Sequence, residues 1–155
     1  MTIRDHVSVS ASYTRSINIE RDGTPASQAI HYVPTSKALQ VLATLSERFS
    51  GYAGPRSWSI IGPYGSGKSS FALFLSSLLT SPSSKRADDA LKLLKSCNPE
   101  LASKFRSETE NSSGYLEILI SGTPESLSAR YLYGLRNAIS AYVKQARKRK
   151  PVILG

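Results

Sequence analysis

The spacing of apolar residues changes several times along this chain, and each change marks an element. Residues 5–20 alternate. Val7, Val9 and Ala11, then Ile17 and Ile19, recur at period two and predict one or two strands. Asp22-Gly23-Thr24-Pro25 is turn chemistry. From Pro34-Thr35-Ser36 the period lengthens to that of a helix, with Leu39, Leu42, Leu45 and Phe49 on one face. Gly51 and Gly54-Pro55 close that unit. Trp58, Ile60 and Ile61 then form a short apolar run, read as a buried strand. Residues 70–79 carry Phe71, Ala72, Leu73, Phe74, Leu75, Leu78 and Leu79, apolar on nearly every side, as expected of a helix buried against a sheet.

The second half continues the alternation of elements. Ser81-Pro82-Ser83-Ser84 reads as a loop. Helical patches follow at 86–95, with Ala90, Leu91, Leu93 and Leu94, and at 99–106, with Leu101, Ala102 and Phe105. Residues 108–114 are polar and read as a mobile connection. Residues 115–121, YLEILIS, predict a second strand. Thr123 is placed to cap a helix that has Pro124 at its first position and runs to about Arg149. Its stripe is Leu127, Tyr131, Leu135, Ala138 and Tyr142, widened by Leu132, Ile139 and Val143; the tyrosines read as core packing. Val152-Ile153-Leu154 opens a third apolar run. Strand, helix, strand, helix, strand predicts an α/β fold with a parallel sheet flanked by helices over 55–155. A short β/α extension over 1–54 precedes it.

Between the first predicted strand and its helix lies Gly62-Pro63-Tyr64-Gly65-Ser66-Gly67-Lys68-Ser69, which fits G-x-x-x-x-G-K-[ST] without a mismatch. The alternative is a glycine-rich turn with an exposed lysine. Physical chemistry favours a phosphate loop. Gly65 and Gly67 remove side chains and permit positive φ, so that the backbone can wrap an anion. Successive N–H groups converge on it as a nest, and the helix start adds further donors and a favourable dipole. Lys68 is placed to neutralise the β- and γ-phosphates of ATP and is the candidate catalytic residue. The Ser69 hydroxyl is placed to ligand Mg²⁺, and Ser70 follows in the first helical turn.

Composition narrows the function classes. The chain has 155 residues, 40% hydrophobic and 20% charged, which suits one globular domain. It has no run of 18 apolar residues and no apolar leader near its start, so neither a membrane span nor a secretory signal is expected. Its one cysteine, Cys97, cannot form an internal disulfide and reads as a packed thiol. A cytoplasmic location is the expectation. Net charge is +9, and Lys144, Arg147, Lys148, Arg149 and Lys150 concentrate it near one end. That run has two readings: a nucleic-acid or acidic-partner patch, or a solvated helix end whose cations complement the dipole. No aromatic residue interleaves with it, which favours the second.

Hydrolysis needs an acid at the end of a neighbouring strand, and no apolar run ends in Asp or Glu. Glu117 sits near the start of its predicted strand, away from the carboxyl end where ligands of such sheets bind. Asp88 and Asp89 read as a solvated face. The third apolar run begins at Val152 and the chain stops at Gly155, so the reading expects a longer ATPase with its acid downstream. There is no N-K-x-D and no L-S-G-G-Q, and His6 and His31 stand alone, without metal-ligand spacing. His31-Tyr32-Val33-Pro34 either packs on adenine or is a plain approach to a helix, with Val33 as a staple. Two rival functions stay open: a small-molecule or nucleotide kinase, and a non-enzymatic DNA-binding or interaction module with a structural nucleotide.

The segments YVPTSKALQVL, RSWSIIGPYGSGKSSFALFLSSLL and LISGTPESLSARYLYGLRNAI together resemble the N-terminal P-loop region of large bacterial ATPases of anti-phage defence, of the AAA+ or STAND type. The resemblance spans about residues 30–155. It implies that ATP state drives assembly or remodelling, often on DNA, with further domains or subunits as partners. Only the Walker A residues, Gly62–Ser69, carry over position by position.

Overall fold

The computed structural model describes residues 17–23, 32–49, 51, 54–55, 57–122 and 124–149, with side chains through Lys144. The described residues form six α-helices: α1 (Ile19–Asp22), α2 (Ser36–Phe49), α3 (Lys68–Leu79), α4 (Lys85–Cys97), α5 (Pro99–Ser112) and α6 (Leu127–Arg149). They contain no strand. This overturns the α/β expectation and its parallel sheet.

The physical reason lies in the two runs read as strands. Residues 57–63 and 115–121 are neither helix nor strand, and among the described residues no ladder joins them to each other or to a third segment. An apolar run states that a segment wants cover; it does not name the partner. For 115–121 the cover is helical. The Tyr115 N–H donates to Leu79 O at the end of α3 (2.9 Å). The Ser121 N–H donates to the Glu20 carboxylate on α1 (2.6 Å). α6 approaches so closely at Gly134 that a Cβ there would stand 2.9 Å from Ile118 Cγ2. For 57–63 the apolar residues stay in solvent, with Ile61 92% exposed.

Residues 1–16, with His6, lie outside the described residues, as do 24–31, with His31, and the third run at 152–155. Ile19 belongs to the single helical turn α1, capped by Asn18, whose side chain accepts from the Arg21 N–H (3.0 Å).

The core is formed by α2–α5. Leu42, Phe74, Leu78, Leu94 and Phe105 are buried at its centre. Each helix start has a local cause. The Thr35 hydroxyl accepts from the Ala38 N–H (3.2 Å) to open α2. The Ser84 hydroxyl accepts from the Ala87 N–H (3.1 Å) to open α4. Asn98 ends α4 and starts α5: its backbone N–H donates to Leu94 O and its side chain accepts from the Leu101 N–H (3.0 Å), with Pro99 at the first helical position. Such a one-residue joint forces α4 and α5 to pack as neighbours.

Several sequence expectations shift here. α5 continues to Ser112, absorbing most of the polar segment 108–114. Thr109 supplies the extra buried position, its hydroxyl donating to Phe105 O (3.1 Å). Ser113 (φ 60°) and Gly114 (φ 85°) then reverse the chain. At Gly114 a side chain is barred, because a Cβ would meet the Ser81 backbone at 2.6 Å. α6 begins at Leu127 rather than at Pro124, and the Ser126 hydroxyl takes the capping role from the Ala129 N–H (3.3 Å). Cys97 is exposed at the end of α4 instead of packed.

Candidate functional site

The glycine-rich loop joins residues 57–63 to the start of α3. Gly65 and Gly67 both adopt φ of 81°, the left-handed region that residues with a Cβ seldom enter. Nothing stands within 4 Å of where a Cβ would be at either position, so their backbones face open space. Gly67 is the residue before α3 and brings no side chain to cap it; the first helical bond is from the Phe71 N–H to Gly67 O (2.9 Å). The N–H groups of the first turn of α3, at Lys68, Ser69 and Ser70, therefore have no capping side chain among the described residues.

The loop is closed on itself by two side chains. The Ser66 N–H and hydroxyl both donate to Pro63 O, at 3.3 and 2.8 Å. The Lys68 ammonium donates to Gly62 O (2.8 Å) and Pro63 O (2.7 Å), and lies 3.4 Å from the Ser66 hydroxyl. The lysine thus points back into the loop's concave side, its charge met by carbonyl dipoles and by no described carboxylate. Gly62 is required by closeness: a Cβ there would meet the Ser66 Oγ at 2.9 Å. Tyr64 stands at the crest, 92% exposed. All of Gly62, Pro63, Tyr64, Gly65, Ser66, Gly67, Lys68, Ser69 and Ser70 are therefore brought into one turn and the helix start that follows it.

α3 is anchored by its apolar faces, with Phe71, Leu73, Phe74 and Leu78 buried. Tyr32 packs on Phe74 (5.0 Å between ring centroids) and on Phe71 (6.4 Å, edge-on). Burial raises the pKa of its hydroxyl above the ordinary tyrosine value. Val33, expected as a staple, is 78% exposed, and Tyr32 does the packing in its place.

Sequence reading missed two polar clusters that hold α3 and its surroundings. The Arg86 side chain, 8% exposed, donates to Ser77 Oγ (2.8 Å), Gly23 O (2.9 Å) and Leu73 O (3.4 Å), and also bonds Ser76 Oγ. It pairs with Glu117 at 3.3 Å, and Glu117 also accepts from the Ser76 hydroxyl (2.6 Å). Ser76 lies about 12 Å along α3 from Lys68 at 1.5 Å per residue. Glu117 therefore serves the helix body and not the glycine-rich loop. Asp88 makes a surface ion pair with Lys92 (2.6 Å).

In the second cluster Glu20 on α1 accepts from the Ser121 N–H and from Arg130 on α6. These contacts hold the Glu20 carboxyl below the usual carboxylate range, the Ser121 N–H first and Arg130 second. Arg130 also lies 3.7 Å from Glu125. No local periodicity points to either cluster, because the partners are 31 and 110 residues apart.

Among the described residues no group of three or more His, Cys, Asp and Glu could hold a metal ion, and no helix is long and apolar enough to cross a membrane. No protein-family model, no curated protein and no solved structure matches this chain.

Proposed function

We propose that this protein binds a nucleoside triphosphate, ATP, with Mg²⁺ at the loop Gly62–Ser69. One observation carries the reading: two left-handed glycines and an uncapped helix start surround a lysine whose ammonium lies inside the loop. The cradle fits a chain of phosphates, since the space a Cβ would occupy at Gly65 and Gly67 is open. The backbone N–H groups of Gly65 and of Gly67 to Ser70 supply the anion donors, the Ser66 N–H being held by Pro63 O. Lys68 exchanges the Gly62 and Pro63 carbonyls for phosphate oxygens, and the Ser69 hydroxyl ligates the cation. The reading is of binding. It rests on the loop and helix alone, and no described carboxylate is bonded to Lys68.

The test is thermal unfolding of the chain without ligand, with Mg·ATP and with Mg·GTP, beside Lys68→Ala. A ligand bound only by the folded state adds about 2.7 kcal/mol at 100 times its dissociation constant. A rise with ATP that is lost in Lys68→Ala is expected. No rise, or an equal rise in both proteins, would sink the proposal.

A further inference from the structure

α6 is 23 residues long, and its sequence holds six basic residues and no Asp or Glu. Its inner side is defined by the half-buried Arg130, Gly134, Leu135 and Ala138, with Gly134 against Ile118. The opposite side carries Tyr133, Arg136, Ser140 and Lys144, spaced three, four and four residues apart, so they share one face. All four are exposed, Tyr133 at 56%. The Arg130 guanidinium lies 5.7 Å from the centroid of the Tyr133 ring, which steadies a residue that stays more than half exposed. Among the described residues neither Arg136 nor Lys144 pairs with a carboxylate.

We infer that this face of α6 binds a single strand of nucleic acid, independently of the glycine-rich loop. Charge complementarity carries the argument. Cations that merely complement a helix dipole belong in the last turn, because the effect fades within it. Arg136 and Lys144 lie before the last turn of α6, and Arg136 is 13 residues from its end at Arg149. From Tyr133 to Lys144 the face runs about 17 Å, the rise of eleven helical residues. One strand of nucleic acid offers a phosphate about every 3.4 Å when stacked, so two or more fall within reach. Tyr133 adds what an acidic peptide would not use: a flat ring between cations, on which an unpaired base stacks.

The experiment is anisotropy of labelled oligothymidylate and oligouridylate against a matched duplex, titrated from low to moderate salt. The proteins are the parent chain, Arg136→Ala/Lys144→Ala and Tyr133→Ala. The exposed positions should leave melting temperatures unchanged. The double variant is expected to lower the salt slope by about 1.4, two contacts at about 0.7 each for single strands. Tyr133→Ala is expected to weaken single-strand binding about tenfold. No binding of either oligonucleotide, or a salt slope untouched by the double variant, overturns the inference. Equal affinity for duplex with a silent Tyr133→Ala overturns the single-strand assignment. Competition by polyglutamate at the same charge concentration replaces it with an acidic protein partner.

Discussion

α2–α5 and α6 use the same kinds of residue in opposite ways. In α2–α5 the apolar positions meet one another: Leu42, Phe74, Leu78, Leu94 and Phe105 have no exposed surface. In α6 the stripe is half-buried only at Leu135 and Ala138, whereas Leu127, Tyr131, Leu132, Ile139, Tyr142 and Val143 are exposed, from 40% at Val143 to 76% at Leu127. Both patterns are amphipathic on paper. The difference is the presence of a partner within reach. α4 and α5 are joined by one residue and must pack, whereas α6 follows a non-helical segment and touches the rest chiefly through Gly134 and Arg130. Amphipathicity therefore marks a helix that seeks cover; it does not say whether a partner lies within reach.

Truncation tests this comparison most strongly. Phe105→Ala in the core should cost about 3–5 kcal/mol, whereas Tyr142→Ala on α6 should stay within about 0.5 kcal/mol. Chemical denaturation of both variants reads the contrast. Equal losses would show that α6 is as well covered as the core.

Next in size is the buried Arg86–Glu117 pair, which ties α4 and α3 to the segment 115–121. Arg86→Ala leaves Glu117 partly buried without its cation and should cost about 3 kcal/mol. Arg86→Met with Glu117→Leu should recover most of that loss, since apolar groups of similar volume often replace a buried pair at little cost. A double variant as unstable as Arg86→Ala would instead assign the effect to the bonds on Ser77 and Gly23.

How much of this was legible differs by element. α2 was readable as a helix opening at Pro34-Thr35-Ser36 because Leu39, Leu42, Leu45 and Phe49 keep one period. α4 and α5 were legible as helical patches at 86–95 and 99–106, but the continuation of α5 to Ser112 was not, because its buried position there is the polar Thr109. The glycine-rich loop was legible as a motif because Gly65 and Gly67 have a local, backbone reason, their positive φ. The runs at 57–63 and 115–121 were not, because sheet pairing is a long-range choice that no short apolar run encodes. Arg86 was invisible for the same reason: its partners come from α1, α3 and residue 117. Tyr131 and Tyr142 of α6 keep the spacing of a core stripe yet are exposed, because spacing does not supply a partner.

The loop supplies the next effect. Gly67→Ala meets no atom within 4 Å, so its cost is the left-handed backbone alone, about 1–2 kcal/mol. Gly62→Ala meets Ser66 Oγ at 2.9 Å without positive φ, so that variant strains the loop's closure instead. Nucleotide titration of the two, read beside their melting temperatures, separates backbone shape from loop closure. If neither variant alters nucleotide binding, the loop is not the binding element.

The smallest effect belongs to Glu20, where α1 holds both Ser121 and the α6 side chain Arg130. The folded pKa of Glu20 is lowered from its ordinary 4.5, so its contribution to stability is present above that value. As pH falls through the lower folded pKa, the carboxylate protonates and the contribution disappears. Glu20→Gln should therefore melt below the parent at neutral pH, with the gap closing in acid. A gap independent of pH would make the residue's value steric. Closure of the gap would show that α6, exposed over most of its length, is held at its first turns by charge where the core is held by packing.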